Sequence, residues 1–267
     1  MTETEIYLDT LPYDTISIDL SNRNLTDLPD LSRFTNLRVL NCSFNKLTSL
    51  PKLNNNLQNL NCSFNKLTSL PELNNNLHVL NCSCNKLKSL PELNNNLHVL
   101  NCSCNKLTSL PLLNDNLQEL NCSNNELTIL PVLNNNLQKI FCSFNQLTKL
   151  PLLNNNLLIL YCSCNELTNL PVLNNNLTQL HCSYNNIEYL MFNETFDNIK
   201  IKNEKIHNFI QLYYCLKFKN KFRNWLWLKV REPLMKIKYS PEKLVNLLNT
   251  MQNKDNEHEF DSLLNNW

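Results

Sequence analysis

The chain contains no glycine among its 267 residues, and alanine is missing as well. Without glycine, any backbone position that needs a positive φ must be taken by a residue with a Cβ, and asparagine tolerates that conformation best. Long apolar runs are also missing: no stretch approaches the roughly 18 residues that a membrane-spanning helix requires. The opening segment MTETEIYLDTLPYDTISIDL has acids where a signal peptide has a basic start, so a cytoplasmic protein is expected. Hydrophobic residues make up 42% of the chain and charged residues 18%, which excludes a disordered tail and leaves enough apolar material for a core.

What is present is one sentence, repeated. NCSFNKLTSLPELNNNLHVL (61–80) returns from Asn81 as NCSCNKLKSLPELNNNLHVL, and with edits from Asn101, Asn121, Phe141 and Tyr161. A fixed short period is an architectural signal and is read before any local secondary structure. Aligned on Cys42, the unit runs L-x-x-L-x-C-x-x-N-x-L-x-x-L-P from Leu37 to Pro51, then Leu53 and an asparagine triplet. Most of the twelve cysteines follow this period, which separates them from the disulfide framework of a small secreted chain.

Two files of residues recur with the unit. Cys42, Cys62, Cys82, Cys102, Cys122, Cys142, Cys162 and Cys182 are small apolar residues suited to an internal position. Asn45, Asn65, Asn85, Asn105, Asn125, Asn145, Asn165 and Asn185 offer both a donor and an acceptor to peptide groups that a bend would otherwise bury unpaired. Leu50-Pro51 and its copies predict an extended, non-helical return segment, because proline fixes its own φ and keeps its predecessor out of the helical region. The asparagine-rich triplets, from 54–56 to 174–176, are expected at corners, supplying positive φ.

The slot held by Cys84, Cys104 and Cys164 holds Phe44, Phe64, Asn124, Phe144 and Tyr184 elsewhere, so it is expected to accept any filler. Cys-Ser-Cys at 82–84, 102–104 and 162–164 is therefore not read as a metal site. His78 and His98 are repeat copies with no unique set of polar groups around them. No catalytic residue, metal or cofactor is expected.

The spacing resembles the leucine-rich-repeat signature, whose cysteine and asparagine positions are matched in every unit from Cys42 to Cys182. The short Leu-Pro-bearing form is most similar to the repeats of large amoeba-infecting DNA viruses of the mimivirus type, with bacterial effector proteins second. The asparagine-rich, glycine-poor style and the tail segment NWLWLKVREPLMKIKYSPEKLVNLL carry the viral resemblance. The resemblance implies a solenoid in which each repeat is one coil, with a parallel β-sheet on the concave face and an extended convex side. The strand would lie around Val39 to Ser43, with Leu40 and Cys42 inward and Val39, Asn41 and Ser43 outward. The chain then divides into a lead-in (1–14), a solenoid of about nine coils (15–190) and a C-terminal cap (191–267).

That last segment is basic. From Lys200 to Lys238, eleven Lys or Arg stand against Glu204 and Glu232. Ile206, Phe209, Ile210, Tyr213 and Leu216 recur at helical spacing, and Ser240-Pro241-Glu242 has the form of a helix start. An α-helical cap over the last coil is expected, with nucleic acid or an acidic surface as the alternative use of its charge. Cys215 falls near the apolar stripe and is read as a packed thiol. The effector resemblance raises a ubiquitin-pathway role as a further alternative, for which Cys215 would be the only cysteine in the tail.

The family resemblance implies a non-catalytic scaffold that binds a protein partner on its concave strands, a host protein in the host cytoplasm if the chain is viral. Outward strand positions are monotonous in the early units, as at Asn61, Asn81 and Asn101. At the same slot later units carry Phe141, Tyr161 and His181, flanked by Glu119, Lys139, Ile159 and Gln179 and followed by Phe144 and Tyr184. Packing is not expected to need these outward side chains, so they are the candidate partner-binding residues.

Overall fold

A computed structural model of the chain describes residues 3–187 and 195–196. One helix, α1 (Glu3–Asp9), precedes ten strands: β1 (Ser17–Asp19), β2 (Val39–Asn41), β3 (Asn59–Asn61), β4 (Val79–Asn81), β5 (Val99–Asn101), β6 (Glu119–Asn121), β7 (Lys139–Phe141), β8 (Ile159–Tyr161), β9 (Gln179–His181) and β10 (Thr195–Phe196). They form a single sheet in sequence order. Neighbouring strands from β1 to β9 pair in parallel and in strict register, Leu40 opposite Leu60 and Leu60 opposite Leu80. Nine parallel strands bound eight complete turns of a solenoid.

The repeat dictates this arrangement. From β2 to β9 the middle residue of each strand and the cysteine two places on point inward, and Leu60, Leu80, Leu100 and the whole cysteine file are almost completely buried. Leu47, Leu57 and their copies close the core from the other side. Identical coils stack so that each buries its neighbour's apolar face, which no coil could do alone. The return segment after Leu50-Pro51 is neither helix nor strand, and α1 is the only helix among the described residues.

The asparagines carry the polar half of the design. Asn65 Oδ1 accepts the Leu47 N–H at 2.9 Å, while its Nδ2 donates to the carbonyls of Cys42 (3.0 Å) and Cys62 (3.2 Å). Each amide therefore serves its own coil and the preceding one. This explains why the first coil carries Arg23 in the asparagine slot: no earlier coil needs serving, and its own Arg23 and Leu25 N–H groups bond to Asn45 Oδ1.

The corner triplets work differently from expectation. None of their residues has positive φ. In the second triplet, Asn74 Oδ1 accepts the Asn76 N–H at 2.8 Å, and Asn74 Nδ2 and Asn76 Nδ2 donate to the Asn54 and Asn55 carbonyls of the previous coil. The corner is an Asx turn tied into two ladders. Its middle residue is exposed, and there alone the triplet varies, to Asp115.

Positive φ falls instead on the slot expected to take any filler. Phe44, Phe64, Cys84, Cys104, Asn124, Phe144, Cys164 and Tyr184 all have φ between 53° and 59°. From Phe44 to Cys164 their N–H groups bond to the next coil, as from Phe64 to the Ser83 carbonyl at 3.0 Å, and the asparagine of the recurring file follows immediately. Tertiary structure holds bulky residues in a conformation that costs them roughly 1–2 kcal/mol each.

The two ends add elements outside the repeat. In the lead-in, α1 buries Thr4 and Leu8. It is fastened by the features that make the first coil irregular: Arg23 lies 4.2 Å from the Tyr7 ring centroid, and Arg33 pairs with Asp9 at 2.8 Å from a coil that, counted from Leu20 to Cys42, is two residues longer than the later ones. At the other end, β10 pairs antiparallel with β9, a strand inside the segment expected to be a helical cap. An open sheet edge has unpaired N–H and C=O groups, and a short strand supplies their partners. The cap helices, Cys215 and the basic run lie outside the described residues.

Candidate functional site

The solvent-facing side of the sheet presents the first and third residues of β1 to β9. From β1 to β6 the third residue is Asp19 or an asparagine that ends the strand in a turn: Asn101 Oδ1 accepts the Ser103 N–H (3.1 Å) and hydroxyl (2.8 Å), and Asp19 Oδ1 accepts the Ser21 N–H (2.8 Å). Bonding to Ser21 keeps the Asp19 carboxyl below its ordinary value. The serines were expected outward, yet Ser43, Ser63 and Ser83 are buried. The early outward asparagines are thus structural.

At β7 and β8 this device is given up. Phe141 and Tyr161 have no side-chain acceptor for the serine two places on, and the Ser163 N–H turns to Ser143 Oγ at 3.1 Å. The rings contact one another instead. Phe141 meets Tyr161 edge-on at 5.1 Å, and Tyr161 stacks on His181 at 4.0 Å with the planes 1° apart. The Tyr161 hydroxyl donates to Gln179 Oε1 at 2.7 Å. Lys139 pairs with Glu119 at 3.0 Å across β6 and β7. Phe141, Tyr161, His181, Ile159 and Gln179 therefore form one contiguous, half-buried aromatic platform with an ion pair on its N-terminal side.

Phe144 and Tyr184 stand on the left-handed slot, 56% and 67% exposed, separated by Cys164. On the same slot at the N-terminal end, Phe44 and Phe64 stack at 4.3 Å, a pair the sequence reading passed over as filler. It also passed over a row on the return segment. Leu112, Val132, Leu152 and Val172 follow the prolines and are 81–88% exposed, where earlier coils have Lys52, Glu72 and Glu92. The switch from charge to aliphatic at one repeat slot was the signal.

Chemistry-bearing groups are sparse. Among the described residues no group of three or more His, Cys, Asp or Glu could hold a metal ion. His78 and His98 stack at 5.4 Å. All eleven cysteines among the described residues are free. Burial pushes the thiols of the inner file up, that of Cys122 to about 12 from an ordinary 9.0 and those of Cys82 and Cys102 well above it. Such thiols are inert.

Known proteins share this architecture. The chain is similar to YopM, a leucine-rich effector protein from Yersinia pestis, at 38% identity with a TM-score of 0.63 over 65% of this chain and 49% of that one. It is similar to a Shigella effector leucine-rich-repeat domain at 34% identity and a TM-score of 0.54, over 61% of this chain and 73% of that one. This is a leucine-rich-repeat protein. The leucine-rich-repeat domain of APL1B, at 23% identity, a TM-score of 0.52 and 63% and 53% coverage, shares the fold alone. The chain spans about half the length of the YopM chain it matches. The sequence matches no protein-family model and no curated protein.

Leucine-rich-repeat proteins, bacterial effectors among them, generally mediate protein–protein interaction, and their repeat domains are typically scaffolds without catalytic activity. These structures support the bacterial-effector half of the expected resemblance and lend nothing to the viral half. No helix among the described residues is long and apolar enough to cross a membrane.

Proposed function

We propose that this protein is a binding scaffold that holds a protein partner on the C-terminal half of its concave face, with Phe141, Tyr161 and His181 as the anchor. The observation that carries this reading is the exchange at the third strand position. Coils that keep asparagine there gain a hydrogen bond to the turn; coils with Phe141 and Tyr161 give it up and leave aromatic surface half open. A loss for the fold that recurs on adjacent coils and assembles a preorganised aromatic cluster is what a binding hot spot requires. Glu119, Lys139, Ile159 and Gln179 form its rim, and Phe144 and Tyr184 extend it along the edge of the sheet.

The compartment we infer is a cytosol. Free thiols throughout the repeat suit a reducing environment, and the effector resemblance makes that the cytosol of a host cell.

The test is affinity capture from cell lysate followed by identification of the captured protein, run in parallel with three variants. Substitution of Phe141, Tyr161 and Tyr184 by alanine is expected to abolish recovery, whereas Asn61→Ser with Asn81→Ser leaves it intact. If Leu152→Ser with Val172→Ser is the variant that loses the partner, the return segment is the binding surface and this localisation is wrong.

A further inference from the structure

The near-neutral solenoid hides a separation of charge along its axis. Between residues 38 and 110 stand Arg38, Lys46, Lys52, Lys66, Lys86, Lys88 and Lys106 against Glu72 and Glu92 alone; between 111 and 187, Lys139 and Lys149 stand against Asp115, Glu119, Glu126 and Glu166. Four of the basic residues occupy one slot, directly after the buried asparagine: Lys46, Lys66, Lys86 and Lys106, all exposed. Each donates its backbone N–H to the preceding coil, at 2.8 Å from Lys46 to the Leu25 carbonyl and 2.9 Å from Lys106 to that of Leu87. Their Cα positions are thereby fixed one coil apart, about 4.8 Å, in a straight row.

The fold does not require lysine there, since Glu126, Gln146 and Glu166 fill the same slot in later coils. None of the four is in an ion pair among the described residues, where the salt bridges are Arg33–Asp9 and Lys139–Glu119. Glu72 and Glu92 lie together beside a groove on the return segment with Pro91, Asn94 and Asn95, on another part of the coil. Two residues before the first two lysines stand Phe44 and Phe64, 51% and 47% exposed, their rings stacked 8° from parallel. The next two coils carry the short Cys84 and Cys104 at that slot, leaving a step beside the Phe64 ring.

We propose that this edge of the N-terminal coils binds single-stranded nucleic acid, with phosphates along Lys46, Lys66, Lys86 and Lys106 and a base stacked on the Phe44–Phe64 pair. A line of charge one residue wide matches a strand better than the plane of a bilayer, and an aromatic stack beside it offers a platform that any base can use. This surface is separate from the concave aromatic cluster and does not depend on it.

The experiment is fluorescence anisotropy of the full chain with a labelled oligothymidylate of about 12 nucleotides, and with an abasic strand of equal length. The variants use residues that the chain itself places in these slots: glutamate for Lys46, Lys66, Lys86 and Lys106, and asparagine for Phe44 and Phe64. Charge reversal is expected to weaken oligothymidylate binding at least 30-fold near 0.1 M salt and to flatten the salt dependence by about 0.7 per lost phosphate contact. Asparagine at 44 and 64 is expected to cost about tenfold for oligothymidylate and nothing for the abasic strand. Unchanged affinity after charge reversal would assign any binding to the basic run at 200–238 and overturn the proposal. Equal binding of both strands by every variant, or ladder-dependent binding of anionic vesicles without oligonucleotide binding, would also overturn it.

Discussion

The side-chain amide of Asn105 joins two coils: its Oδ1 accepts the Leu87 N–H at 3.0 Å and its Nδ2 donates to the carbonyls of Cys82 (3.0 Å) and Cys102 (3.1 Å). Asn105→Leu leaves at least two buried backbone groups unpaired, each at a cost of about 1–3 kcal/mol. Urea denaturation should show a loss of about 3 kcal/mol or more. Asn75→Asp, at the exposed middle of a corner where Asp115 occurs naturally, should change stability by less than about 0.5 kcal/mol.

This ladder was legible in the sequence because its need is local: a bend with buried peptide groups calls for a donor and an acceptor at one spot, and Asn45 recurs there. The coil register followed from the period alone. The left-handed slot was not legible. Phe, Cys, Asn and Tyr share no conformational preference, and the constraint comes from the next coil's carbonyl and from the buried asparagine that follows. The role of Asn41 was hidden for a related reason, since an outward strand position gives no hint that its amide turns back to Ser43 (Oδ1 to Oγ, 2.7 Å). The helix at Glu3–Asp9 is only seven residues long, and what holds it, Arg23 on Tyr7 and Arg33 on Asp9, is tertiary.

A chain without glycine leaves stability unclaimed at that left-handed slot. Cys104 has φ 54° and an exposed side chain. Cys104→Gly should raise stability by about 1 kcal/mol through relief of the Cβ clash, less the entropy that glycine forfeits. Cys104→Val should lower it, since a β-branched residue fits the left-handed region worst. Thermal melts of the two variants give opposite shifts on this account.

The buried thiols make the fold sensitive to alkali. In the native state burial holds Cys42, Cys122 and Cys182 protonated up to about 12, against an ordinary value of 9.0. Above pH 9 the unfolded chain sheds protons that the native chain keeps, so stability is full below that pH and falls as pH rises towards 12. Each such cysteine contributes a slope of about 1.4 kcal/mol per pH unit. Denaturant midpoints between pH 8 and 11 should fall steeply, and Cys122→Ala should make the fall shallower while lowering stability at pH 7. In native protein, Cys84, Cys104 and Cys164 should alkylate before any member of the inner file.

The central claim is that Phe141 and Tyr161 serve binding at a cost to folding. Placing asparagine at both restores the residue that Asn121 and its predecessors use, with its acceptor for the following serine. The decisive measurement is the affinity of this double variant for the purified captured partner, by isothermal titration calorimetry, beside its melting temperature. The account predicts an affinity loss of about 2 kcal/mol or more, roughly 30-fold, with a melting temperature equal to or above that of the parent. Undiminished affinity, or a loss of binding matched by a loss of stability, would contradict it.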